Sequence, residues 1–332
     1  MQPNESIRDS VDGNPGTRRD AVVVGAGIIG LTSALALSRA GFRVRIIAAG
    51  FTPATVSDVA AAIWYPYQAR PRDRVFEWSR RTFSVLASEA RHAVPGISML
   101  EMVEVFASPV DDPWWGGAVE SWRRCGVDEL PDGYIDGFAA VVPLIESTVY
   151  LNHLMHELGR ANVPFEHARI SNLADIGEQL VINCTGLGAR ELCNDDAVFP
   201  IRGVVVRTGP TSLRRSLADD FGPNALAYIV PRSVDCVLGG TADFHSWRLD
   251  ATPEEAGDIV RRCEALEPAL RGAEILETRV GLRPGRTAVR CERDPDRPGL
   301  IHNYGHGGSG FTLCWGCAAD VVRLATEPVG AP

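Results

Sequence analysis

The sequence predicts an α/β protein in which a parallel, βαβ-built unit is interrupted by a second unit with a mainly antiparallel sheet. Three observations carry this. A G-x-G-x-x-G run at residues 25–30 stands between a short β-branched stretch and a helix-forming one. Far downstream, Leu180-Val181-Ile182-Asn183 reads as a buried strand ending in the small-residue turn Cys184-Thr185-Gly186. Finally, residues 200–208, 227–232 and 236–244 are strand-like runs separated by turns, at the density of an antiparallel sheet. The composition suits this: 332 residues with 45% apolar and 23% charged side chains form an ordinary globular chain, long enough for two domains. A formal net charge of −9, without a long run of one sign, argues against nucleic acid or an anionic membrane as the main partner.

Taken in order, residues 1–17 are polar and rich in Asn, Asp, Gly and Pro, and are expected to be a disordered tail. Arg18-Arg19 before the apolar residues 21–37 imitates an export signal, but the spaced glycines favour strand, turn and helix. Asp20 to Val24 is the first strand, residues 31–39 are helix-forming, Gly41 stops the helix, and residues 43–48 are the second strand. The glycines divide the work. Gly25 permits the turn, Gly27 lets backbone approach a pyrophosphate, and Gly30 lets helix and strand pack closely. The helix N-terminus then offers unpaired N–H groups to phosphate. The acid that usually holds the adenosine ribose at the end of the second strand is missing, since that strand ends Ala48-Ala49-Gly50. Asp58 follows at a different spacing, and backbone, water, Thr55 or Ser57 is left to replace the acid. No arginine directly follows the strand, so the absence does not point to NADP.

Helix is expected over 79–90, strand over 101–107, and an amphipathic helix over 144–161 with Leu151, Leu154, Met155 and Leu158 on one face. Trp114 and Trp115 are expected in a loop, exposed or at an interface. Residues 252–266 read as a helix capped by Thr252 with Glu255 in the capping-box position, and residues 277–286 return as strand. Residues 300–303 are a strand that meets a helix, from Phe311 onward, through the turn Gly307-Gly308-Ser309-Gly310. His302, His306, Cys314 and Cys317 suggest a metal or redox site by spacing, but they sit inside that strand–turn–helix, and no metal is expected. His153 and His156 lack a ligand partner. The eight dispersed cysteines are read as reduced thiols of a cytosolic protein.

Six motifs occur in a fixed order: the glycine run of Gly25 to Gly30, "FTP…SDVAAAIWYPY" at residues 51–67, "NCTGLGA" at 183–189, "YIVP" at 228–231, "GLRPGR" at 281–286 and "HNYGHGGSGFT…WGCA" at 302–318. Together they resemble the D-amino acid oxidases, flavoenzymes of the glutathione-reductase-like FAD fold, over about residues 20–324. The resemblance implies a discontinuous Rossmann-like FAD-binding domain (18–79, 144–199 and 275–328) and a substrate domain (80–143 and 200–274). It implies non-covalent FAD and oxidation of the Cα–N bond of a D-amino acid by hydride transfer. The products would be a 2-oxo acid, ammonia and, through oxygen, hydrogen peroxide. Arg283 would grip the substrate carboxylate as a bidentate fork, Tyr228 would hydrogen-bond the same carboxylate, and the Gly308 carbonyl would take the amine. Ile63 and Tyr65 would complete the substrate pocket. FAD would lie against Gly25, Ala26, Gly27, Ile28, Ile29 and Gly30, against Thr55, Ser57, Ala61 and Ala62, and against Ile170, Thr185 and Arg283. Its ring would meet Gly307, Gly308, Gly310 and Thr312, with the Thr312 side chain on a ring oxygen and the helix N-terminus stabilising negative charge.

Departures from the familiar pattern bear on substrate. Tyr65 stands where glutamine is common, and Asn224 or Ala225 stands where a lid tyrosine is found. Ala242 replaces the arginine of D-aspartate oxidases, which favours neutral D-amino acids unless Arg214 or Arg215 restores a charge. The chain shows no peroxisomal terminal tripeptide, so a cytoplasmic protein, with a homodimer as the assembly in view, is expected. Oxidases of D-aspartate, glycine or N-methyl amino acids, and a non-catalytic dinucleotide-binding protein, are the alternatives.

Overall fold

Unbroken apolar β-formers at residues 21–24 make β1 (Asp20–Val24), a central strand of a six-stranded sheet. The computed structural model describes residues 19–327, so the expectations for residues 1–17 and 329–332 lie outside it. The chain runs from β1 through α1 (Ile28–Arg39) and β2 (Arg43–Ala48) to α2 (Arg72–Arg91), β3 (Ile97–Phe106), β4 (Trp122–Arg124) and β5 (Asp136–Ile145). It continues with α3 (Ser147–Arg160), β6 (Phe165–His167), β7 (Val181–Asn183) and α4 (Ala189–Leu192). There follow β8 (Phe199–Thr208), β9 (Arg215–Asp219), β10 (Ala227–Pro231), β11 (Cys236–Gly239), β12 (Asp243–Phe244) and α5 (Pro253–Leu266). The last elements are β13 (Ile275–Gly285), β14 (Arg290–Arg293), β15 (Leu300–Tyr304) and α6 (Gly310–Thr326).

The first sheet has the order β14-β15-β7-β1-β2-β6, parallel except at β14. Both its faces are buried, as a parallel sheet requires. Ala21, Val23 and Ile46 meet α1, α3 and α6, while Val22, Val24 and Ile47 pack on Leu173 and Ile176. The second sheet has nine strands, with β13 and β12 both on β8 and only the β3–β9 pair parallel. One of its faces, Val204, Val206, Leu217, Ile229 and Leu238, buries against Ile259, Cys263 and Leu266 of α5. The alternate residues line a cavity between the two sheets. No helix among the described residues is long and apolar enough to cross a membrane.

Several local expectations change. Leu144 and Ile145 end β5, paired with β3, and the helix begins only at Ser147. β5 is long and apolar, and its last residues merge with the helical pattern in sequence. The helix expected from Ser79 starts at Arg72 behind Pro71, its first turns masked by charge. The run expected as one strand over 236–244 divides into β11 and β12. β13 pairs with β8 of the second sheet along its length, although the sequence grouped it with the first unit. Trp115 is buried, edge-on to Trp64 and Tyr65 with ring centroids 6.2 Å apart in both cases, rather than exposed.

The Thr252 box is present: Glu255 N donates to Thr252 Oγ1 at 3.3 Å, and Thr252 N to Glu255 Oε2 at 2.8 Å. Glu255 also accepts from the fully buried Arg202 at 2.9 and 3.0 Å. That bond, more than any other cause, holds the Glu255 carboxyl down to about 2, against 4.5 for a free one. A carboxyl depressed by folding stabilises the fold above its unfolded value, and the gain fades as pH falls through the folded one. Glu255→Gln should therefore lower Tm at neutral pH, and its deficit against wild type should shrink as pH falls from about 4.5 toward 2 in a thermal-melt series.

Candidate active site

The glycine run works by clearance. A Cβ on Gly30 would stand 1.9 Å from the Gly25 carbonyl oxygen, and one on Gly25, which has φ +110°, 2.4 Å from that of Cys184. The β1–α1 turn is thus clamped against the end of β7, where Cys184 N donates to Val24 O at 2.8 Å. At the same sheet edge β15 feeds the His306–Gly310 turn into α6, and Gly310 lies against Ile28. Two helix N-termini therefore open on one cavity of about 870 Å³, a placement suited to anionic groups.

Gly25 to Ile29, Thr55, Ser57, Ala61, Ala62, Ile63, Tyr65, Ile170, Thr185, Tyr228, Arg283, Gly307, Gly308, Gly310 and Thr312 all line that cavity. Gly30 does not; it sits beneath the turn. Four residues differ in the role the structure leaves them. Thr312 Oγ1 donates to Tyr65 O at 2.9 Å and accepts from Tyr65 N at 3.1 Å, so its single proton holds Tyr65 in place and is not offered to a ring oxygen. The Thr55 hydroxyl donates to Asp58 Oδ2 at 2.7 Å, and Asp58, also bonded to Thr52 and Thr148, is buried away from any ribose. Ala62 exchanges backbone bonds with Ile145, and Ala61 O accepts from Arg232, so these backbone groups are committed within the protein. Ser57 remains available, because its oxygen accepts from Ile28 N at 3.0 Å and its own proton is free for a ligand.

Arg283, Tyr228 and Gly308 come together. Arg283 projects from β13, its guanidinium lying where a Gly203 Cβ would be, 2.5 Å from three of its atoms. Arg283 Nη1 donates to Thr241 O at 2.9 Å. The Tyr228 ring occupies the corresponding space over Gly239, 1.9 Å from where a Cβ would be, and burial raises its phenol pKa, so it remains protonated as a donor. Gly308 stands against both Tyr67 and the Arg283 side chain. Gly203, Gly239 and Tyr67 were not read from the sequence, since each matters only through a side chain from another strand or turn. Gly239→Ala should displace the Tyr228 ring and raise KM for a substrate bound at this cluster about tenfold, with less effect on cofactor content, as steady-state kinetics and cofactor absorbance would show.

Ala242 lines the cavity, whereas Arg214 and Arg215 do not. Asn224 instead donates to Tyr134 Oη at 3.1 Å, and its backbone N–H caps Asp219. His302 Nε2 bonds Asp294 at 2.8 Å. Cys314 and Cys317 are buried free thiols on α6, and burial drives both well above the ordinary thiol range. His306 is buried, held neutral by that burial, and its Nε2 lacks a hydrogen-bond partner, as does Asn303 Oδ1 beside it on the same cavity. The two helix N-termini and the Ser57 hydroxyl open on a space that Gly25, Gly27, Gly307 and Gly308 keep clear of side chains, so the residues present fit a dinucleotide cofactor.

Comparison with known proteins agrees. The model of the family described as "DAO: FAD dependent oxidoreductase" matches residues 20–324. The chain is 47% identical over 310 residues to a D-amino-acid oxidase of Rubrobacter xylanophilus, covering 92% of this chain and 95% of that one. It is 40% identical over 313 residues to a D-amino-acid oxidase of Streptomyces coelicolor (92% and 97%), and 35% identical over 327 residues to human D-aspartate oxidase (93% and 95%). In fold it is similar to the glycine oxidase of Geobacillus kaustophilus, with TM-score 0.78, 19% identity, and 94% and 96% of the two chains covered. It is likewise similar to the L-proline dehydrogenase of P. horikoshii, with TM-score 0.80, 14% identity, and 94% and 95% covered. A family model spanning nearly all the described residues, and relatives this similar across almost their whole length, make the chain a member of the FAD-dependent DAO oxidoreductase family.

Proposed function

We infer that the protein is a D-amino-acid oxidase. It oxidises the Cα–N bond of a D-amino acid to the imino acid, which water converts to a 2-oxo acid and ammonia, while oxygen is reduced to hydrogen peroxide. FAD, when bound, supplies the two-electron acceptor for this chemistry. The residues around it bind and orient. The Arg283 guanidinium holds the substrate carboxylate with planar, charge-assisted hydrogen bonds, and the Tyr228 phenol donates to the same group. The Gly308 carbonyl accepts from the amine, close approach being possible because no side chain intervenes. Fixing carboxylate and amine aims the Cα–H, and most of the rate gain is orientation. An amine arriving neutral needs no general base, and neither Tyr65 nor Tyr67 serves as one, since burial raises both phenols, Tyr67 to about 12.

The observation that carries this reading is the Arg283–Tyr228–Gly308 cluster, seated over Gly203 and Gly239 in the cavity that the two helix N-termini share. In this reading the first sheet and its helices hold FAD, Ser57 and the two helix ends meet its phosphates and ring, and the second sheet supplies the substrate wall. A cytoplasmic location and a homodimer belong to the same reading, the latter tested by light scattering.

Anaerobic D-alanine should bleach the flavin of the purified holoenzyme and L-alanine should not, and air should then release peroxide. Acid precipitation should leave the yellow colour in the supernatant. A flavin that no D-amino acid reduces would overturn the assignment.

A further inference from the structure

The wall of the cavity beyond the clamp is acidic. Cross-strand partners share a sheet face, and here Tyr228 of β10 stands opposite Ala218 of β9, which stands opposite Glu104 of β3. Glu104 therefore lies on the face of Tyr228, two strands away, roughly 10 Å at the backbone, with only the Ala218 methyl between. Tyr65 closes this end, its hydroxyl donating to Glu104 Oε1 at 2.7 Å. Asp220, the residue after β9, lines the same space beside the Tyr65 hydroxyl, and its Oδ2 is buried without a well-aligned hydrogen bond. Of the basic residues on the cavity, Arg283 serves the clamp, Arg169 lies beside Ile170 at the far side, and His306 is neutral. The acidic end therefore has no cation of its own.

We propose that Glu104, Asp220 and Tyr65 form the side-chain subsite and select D-amino acids with a terminal cationic group, the class of D-ornithine, D-lysine and D-arginine, over apolar side chains of equal length. The proposal rests on the D-amino-acid oxidase reading above. Two carboxyls withdrawn from water without a counter-ion are costly, and a cation arriving between them relieves that cost, whereas an alkyl chain does not. Burial raises Glu104 to about 8, with the charge of Asp220 adding to it, and raises Asp220 to about 6, with that of Asp219 adding. An ammonium group would draw both toward ionisation. The expectation of neutral substrates rests on Ala242. The carboxyls extend it to cations and set the cavity against D-aspartate and D-glutamate.

The test compares kcat/KM for D-lysine and D-norleucine with the wild-type holoenzyme and with Asp220→Asn and Glu104→Gln, by oxygen uptake. D-lysine should exceed D-norleucine about tenfold, and the ratio should fall toward unity in both variants. A wild-type ratio at or below unity overturns the proposal whether or not the variants fold, and so does a ratio that neither variant moves. D-alanine separates the two levels of inference. Bleaching by D-alanine with a low D-lysine ratio sinks this subsite alone, whereas a holoenzyme that D-alanine and every other D-amino acid fail to reduce sinks the oxidase reading and the subsite together.

Discussion

Arg283→Ala should remove nearly all D-alanine oxidation while FAD stays bound. The guanidinium stands over Gly203 with Nη1 fixed on Thr241 O at 2.9 Å, so its position is set before substrate arrives. Its loss leaves the substrate carboxylate with the Tyr228 phenol as the donor that remains. Losing a two-bond charged contact costs about 4 kcal/mol, or ~10³-fold in kcat/KM, divided between a higher KM and a lower kcat because the contact both binds and aligns. Arg283→Lys should recover a minor part, since an ammonium supplies charge without the planar fork. Steady-state kinetics with D-alanine check this, alongside flavin absorbance to show that the cofactor is retained. Unchanged kinetics would remove Arg283 from the site.

Gly30→Ala should produce a protein that neither holds FAD nor keeps its thermal stability. The new methyl would stand 1.9 Å from the Gly25 carbonyl oxygen, and Gly25 has little room to shift, because the Cys184 carbonyl oxygen lies 2.4 Å from where a Gly25 Cβ would be. Backbone meets backbone on both sides, so no rotamer relieves the clash, and the turn must open. Overpacking of this kind costs on the order of 3 kcal/mol, and an opened turn no longer presents the α1 N-terminus to phosphate. The ratio of flavin to protein absorbance after gel filtration, together with Tm, reads both effects. Gly159→Ala is the control: it lies near the end of α3 with no atom within 4 Å of its Cβ position, and should leave the flavin ratio unchanged and Tm unchanged or slightly raised.

What the sequence revealed was local. Gly25, Gly27 and Gly30 stand between a strand and a helix, Thr252 precedes Glu255 at the spacing of a cap, and the His302–Gly310 run leads from strand to helix. Each of these is complete within a few residues, and each was legible. The remainder depends on partners distant in the chain. Gly203 and Gly239 look like ordinary strand glycines until Arg283 and Tyr228 are laid over them. Thr312 reads as a ligand donor until Tyr65, far away in sequence, takes its proton. Nothing in the strand expected over 101–107 marks Glu104, which β9 and Tyr65 enclose. Residues 144 and 145 read as the start of a helix but belong to β5, because the pairing that decides the matter comes from β3.

The placement of the thiols bears on how long such an enzyme would survive its own product. Cys184, Cys236, Cys263, Cys291, Cys314 and Cys317 are all buried and all free. Burial raises Cys184, Cys236 and Cys263 to about 12, so almost no thiolate exists at neutral pH. Peroxide attacks sulfur through the thiolate. A catalyst that releases one molecule of oxidant per cycle would therefore hold Cys184, Cys236 and Cys263 in their least reactive form, and its working lifetime should depend on other residues.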